Sequence, residues 1–90
     1  METPAIYVYL WFTAITDEQR DAFLERLANV LPVGAAVTER YGRPCVRVEG
    51  PDENAAFIQM DRLVTGVRSE IGLAANQVTC GLDPRLLPEN

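Results

Sequence analysis

Ninety residues, 48% of them hydrophobic and 23% charged, suffice for one folded domain and are too apolar for a disordered chain. The formal net charge of −5 sets the surface as a whole against a phosphate backbone, so only a local cluster of cations would favour nucleic acid. The chain has no His and no Lys, and Ser69 is its only Ser, which removes the Ser-His-Asp triad, the Cys-His pair, the Lys Schiff base, the P-loop and His-type zinc sites.

Ile6 to Phe12 is β-branched and aromatic throughout and too short for a buried helix, so it reads as a central strand. Thr16-Asp17-Glu18-Gln19 then has the spacing of a capping box. Phe23, Leu24, Leu27, Ala28 and Leu31 follow at helical spacing as one apolar face, and Pro32 should end that helix near Val30. Val33 to Arg40 and Arg43 to Glu49 read as two strands joined by Tyr41-Gly42, a turn that demands positive φ. A two-residue turn sets Val37 opposite Val46, Ala35 opposite Val48, Thr38 opposite Cys45 and Ala36 opposite Arg47. Both strands then agree on the apolar parity.

Gly50-Pro51 breaks the chain, and Asp52 stands as N-cap to a second helix carrying Ala56, Met60, Leu63, Val67 and Ile71 inward. Gly72 is a natural C-terminal stop, and Gln77 to Leu82 is a short last strand. The resulting β-α-β-β-α-β order predicts an α+β, ferredoxin-like two-layer sandwich. Its four-stranded antiparallel sheet should run 4-1-3-2 with two helices on one face. A single domain spans 1–90, with a core over about 5–83 and a C-terminal tail over 84–90.

Period two divides the first strand. Ile6, Val8, Leu10 and Phe12 match the aliphatic faces of the helices, and Tyr7, Tyr9 and Trp11 point to a sheet face that no helix covers. Arg40 and Arg47 stand beside them on the neighbouring strands. Aromatic residues and Arg are enriched at binding hot spots, so these five are the candidate binding residues. The competing reading has Leu86 and Leu87 of the tail folding over the rings. Asp17, Asp21 and Glu25 form a separate acidic stripe on the first helix, ordinarily a solvated face.

Cys45 and Cys80 lie on strands separated by the first, about 10 Å apart at normal strand spacing, so two free thiols are expected. Parity sets Cys80 toward the core and Cys45 outward, where Cys45 should be the more reactive.

Ile6-Tyr7-Val8-Tyr9-Leu10 resembles the short first-strand signature of RNA recognition motifs, whose second position holds a base-stacking aromatic. Tyr7 stands at that place. The resemblance covers five residues. The longer third-strand signature would supply two more aromatics and a basic residue, and Arg43-Pro44-Cys45-Val46-Arg47-Val48 contains no aromatic. Nucleic acid is therefore not the expected partner.

These residues lead to a non-catalytic module that binds protein, either a second copy of itself or another chain, through the aromatic sheet face. No metal and no cofactor is expected. One alternative is a small-molecule binder or cofactor-free enzyme, similar at fold level to the dimeric α/β-barrel oxygenases. Another is an inhibitor whose acidic stripe blocks a larger nucleic-acid-processing complex.

Overall fold

The computed structural model describes residues 5–83. Leu86 and Leu87, and with them the expected tail cover, lie outside the described residues.

Strand β1 spans Ala5–Phe12, and Thr16 ends the loop that follows. Thr16 Oγ1 accepts from the Gln19 amide at 3.1 Å while Gln19 Oε1 accepts from the Thr16 amide at 2.9 Å, closing the expected capping box. Helix α1 runs over Asp17–Val30, and Leu31, held extended at ψ 142 before Pro32, ends it. Phe23 and Leu27 are its buried residues; Ala28, expected inward, is exposed because it sits on the margin of the apolar stripe.

Strands β2 (Ala35–Arg40) and β3 (Arg43–Glu49) form the hairpin, and all four expected facing pairs are present. Tyr41 and Gly42 both take positive φ, 55° and 72°, as a primed two-residue turn requires. Val33 is not part of β2, contrary to expectation. Gly34 turns the chain at φ 91°, so Val33 precedes the strand and stands fully exposed.

Asp52 Oδ1 accepts from the amides of Asn54 and Ala55 and opens helix α2 (Glu53–Glu70). The helix closes in a Schellman motif: the Leu73 amide donates to the Arg68 carbonyl at 2.9 Å and the Gly72 amide to Ser69 at 3.2 Å. Gly72 supplies the left-handed φ of 78° that this geometry needs. A 3-10 turn over Ala75–Gln77 leads into β4 (Val78–Gly81), shorter than the expected 77–82.

The sheet order is β2-β3-β1-β4, and all three pairings are antiparallel. With both helices packed on one side, the chain is an α+β, ferredoxin-like two-layer sandwich. Ile6, Val8, Leu10 and Phe12 meet Phe23, Leu27, Met60, Val64 and Val67 in the main core. Val64 is a core residue that the sequence reading passed over in favour of its neighbour Leu63, which is only half-buried. Phe12 and Phe23 meet edge to face at 5.5 Å. No helix among the described residues is long and apolar enough to cross a membrane.

Candidate functional site

Strand alternation sends Tyr7, Tyr9 and Trp11 to the sheet face opposite the helices, with Arg40 from β2 and Arg43, Cys45 and Arg47 from β3. Tyr9, Trp11 and Cys45 make a second buried cluster there, separate from the main core, with Tyr7 against its margin. This face is not bare, as the sequence reading had it. Tyr9 is 3% exposed, Trp11 1% and Cys45 0%.

The groups lying over these rings among the described residues come from the hairpin. The Arg40 guanidinium lies 4.2 Å from the centre of the Tyr7 ring and 5.0 Å from that of Tyr41. It also donates from Nη1 to the Tyr9 hydroxyl at 3.5 Å. The Tyr41 ring stacks on Tyr9 at 6.2 Å with 27° between planes, and Tyr9 meets Trp11 at 6.1 Å and 60°. The Arg43 guanidinium sits 4.9 Å above Trp11. Long side chains thus roof short stretches of ring, each contact adding about 0.5–1 kcal/mol.

What remains accessible is a layer of arginines and one prominent tyrosine. Tyr41 is 72% exposed and, although not glycine, is held in the left-handed region. That conformation costs roughly 1–2 kcal/mol for a residue with a side chain. Asn or Gly would adopt this conformation at less cost.

Charge on this face is opposite to that of the chain. Arg40 and Arg43 have no carboxylate within ion-pair distance among the described residues, and Arg47 pairs with Glu49 at 3.4 Å. The Glu49 carboxylate, and after it Tyr7, raise the pKa of Arg47 further. Burial raises the Tyr9 phenol above its usual range, against the pull of Arg40.

The two cysteines are free, and their accessibility is the reverse of the expectation. Cys45 faces away from the helices as foreseen but is fully enclosed, and burial raises its thiol pKa. Cys80 is half-buried, and burial with the adjacent Asp61 carboxylate pushes its thiol up to about 12. Its Sγ donates to Asp61 Oδ1 at 3.7 Å. Neither thiol is activated as a nucleophile.

The acidic stripe is partly neutralised by its own helix, since Arg20 lies 3.7 Å from Asp17 and 3.8 Å from Asp21. Glu25 stands apart, exposed. Among the described residues, no three Cys, Asp or Glu side chains gather closely enough to hold a metal ion.

The sequence reading missed Tyr41 and Arg43, having treated them as a turn residue and a strand start. Positive φ at a non-glycine position beside Gly42 was the available signal. A further feature is a cleft of about 420 Å³ between the loop before α1 and the hairpin turn. No family model, curated protein or solved structure matches this chain.

Proposed function

We propose that this chain is a non-catalytic interaction module whose binding surface is the arginine-covered sheet face, formed by Tyr7, Arg40, Tyr41, Arg43 and Arg47. The observation that carries the reading is the Arg40 guanidinium stacked between Tyr7 and Tyr41, with Tyr41 exposed and held at φ 55°. A stacked arginine is already fixed in place, so less side-chain freedom is lost when a partner binds it.

The partner that fits is another protein presenting an acidic segment. Arg40, Arg43 and Arg47, of which Arg47 is paired with Glu49, attract such a segment. They also weigh against two-fold pairing of this face with itself, which would set the arginines of both copies together. Stacking of nucleotide bases, the reading suggested by Tyr7, has little support here. Tyr9 and Trp11 are buried, and Arg40 already occupies the Tyr7 ring.

A glutamate-tyrosine copolymer serves as an acidic protein probe. We expect it to shift amide resonances of β1, β3 and the hairpin, with binding at least about tenfold weaker in Tyr41→Asn and Arg47→Gln. Asn suits the turn, so Tyr41→Asn should remain folded. Tighter binding of oligouridylate would overturn the reading in favour of RNA. A dimer that buries this face in sedimentation experiments would overturn it in favour of self-association.

A further inference from the structure

The sheet ends in β2 on one side and β4 on the other, and the pairing registers fix which backbone groups each edge presents. The Gly34 carbonyl accepts from the Glu49 amide at 3.0 Å, so even-numbered positions of β2 bond to β3. The amides and carbonyls of Val37 and Glu39 therefore point away from the sheet. At the other edge the Gln77 carbonyl accepts from the Thr13 amide at 2.9 Å, which turns the amides and carbonyls of Val78 and Cys80 outward. None of these groups has a partner among the described residues. Neither strand contains a proline or a bulge, two devices that ordinarily keep an edge from pairing.

The two edges fit each other. Val37 and Val78 both face the helix layer, so setting them opposite keeps the helices of two copies on one side. Three antiparallel pairings separate β2 from β4, so the two strands run in opposite directions. A second copy in the same orientation thus offers its β2 antiparallel to β4. Helix α1 packs against β2 and α2 against β4. Four strands about 4.8 Å apart take up about the same width as two helices spaced about 8–10 Å. The α1 of a second copy then falls beside α2 of the first and not on top of it.

Charge selects the same direction. A groove of about 260 Å³ runs between α2 and β4, with Val64 and Val78 at its middle. Asp61 stands at its Cys80 end, 3.7 Å from Sγ. Arg68 stands at its Ala75 end, where Nη1 donates to the Leu73 carbonyl at 3.2 Å. Placing Val37 opposite Val78 in the antiparallel sense carries Glu39 toward Arg68 and leaves small Ala35 beside Cys80. The parallel sense would bring Glu39 against Asp61. Glu39 has no cation and Arg68 no carboxylate within ion-pair distance among the described residues. Val33, a fully exposed apolar side chain, stands at the start of the same β2 edge.

We infer that the β2 edge of one copy adds to the β4 edge of a second, with Val37 opposite Val78 and Glu39 paired to Arg68. The contact is head to tail, so each added copy leaves one β2 and one β4 edge open and the sheet can continue. The inference does not depend on the protein-binding role of the arginine face, which this pairing leaves uncovered.

Sedimentation and amide hydrogen exchange on the full chain test it. One added strand and one exposed ion pair make a small contact, so we expect assembly to set in at about 0.1–1 mM protein. Mass should rise past two copies, and the amides of Val37, Glu39, Val78 and Cys80 should gain protection with concentration. Glu39→Arg and Arg68→Glu should each weaken assembly at least about fivefold, because each sets like charges together. An equimolar mixture of the two variants should restore it, since every contact then joins opposite charges. Thermal unfolding checks that both variants fold, and Glu39→Arg alters an exposed side chain that touches no helix cap. A monomer throughout this range would overturn the inference. So would assembly that stops at two copies and ignores Arg68→Glu, which would mean two-fold pairing of β2 with itself, or a mixture no better than either variant. Protection confined to Tyr7 and Arg40 would also overturn it, and would place self-association on the arginine face.

Discussion

On the helix side of β1, Val8 and Leu10 are enclosed by aliphatic residues drawn from two helices and the rest of the sheet. On the other side, Tyr9 and Trp11 are enclosed to nearly the same degree, and the groups described over them are side chains of the sheet and its own hairpin. The first arrangement closes with no charged residue buried among the described residues. The second closes with guanidiniums, which remain partly hydrated while their stems cover the rings. Equal burial therefore does not mean equal tolerance, and the two faces should respond differently to the same insult.

A carboxylate placed on each face tests this most severely. Val8→Asp should unfold the domain, because an unpaired charge in the aliphatic core costs more than about 4 kcal/mol, comparable to total stability. Tyr9→Asp loses a buried ring but puts its charge beside Arg40, so we expect a folded protein weakened by about 1–3 kcal/mol in urea titration. Equal loss in both variants would show that the roofed face behaves as ordinary core.

Trp11 sharpens the same contrast. Its Nε1 is buried with no hydrogen-bond partner among the described residues. Such a donor costs roughly 1–3 kcal/mol, while the ring contributes by filling space. Trp11→Ala should therefore destabilise by about 3–5 kcal/mol. Trp11→Phe, which removes the unpaired donor and keeps an aromatic ring below Arg43, should cost less than about 1.5 kcal/mol. A Phe variant as unstable as the Ala variant would mean that the indole N–H is satisfied.

Most of the fold is legible in local chemistry. The capping box, the Asp52 cap, the Gly72 stop and the hairpin register each depend on residues within a few positions of one another, and each stands where its residues require. The division of β1 into two faces follows from period two alone. The enclosure of Tyr9 and Trp11 is not legible in that way. Among the described residues, Arg40 and Arg43 lie over rings of this face, and no spacing rule decides whether such long side chains extend or collapse. The role of Gln77 was hidden for a related reason: its carboxamide reaches Ala14, 63 positions away in sequence. The candidate residues Arg40 and Arg47 were named from parity, but Tyr41, the most exposed ring of the group, was read only as half of a turn.

The smallest effect concerns the thiols. Cys80 is held protonated in the fold up to about 12, above its usual 9.0. A thiol with a raised folded pKa stabilises the fold fully below the unfolded value and loses that contribution as pH rises through the folded one. Stability should accordingly decline between about pH 9 and 12, with Cys45 and Tyr9, both raised in the same direction, adding to the slope. Cys80→Ala should flatten this decline without changing stability near pH 7 by more than about 1–2 kcal/mol. A thiol reagent at neutral pH should label half-buried Cys80 before enclosed Cys45; the opposite order would mean that the arginine roof opens more readily than the helix side.

The position of β1 between β3 and β4 also governs how the chain is made. Its first edge is covered once β3 arrives, but its second waits for β4, with Tyr9 pairing to Gly81 roughly 70 residues downstream. During synthesis the chain must emerge from the ribosome at least as far as β4 before that edge finds its partner. Until then an aromatic, β-branched strand presents an unpaired edge, the condition under which nascent chains associate. Chains stalled before residue 78 should therefore aggregate or recruit chaperones, while those released after β4 should fold without help.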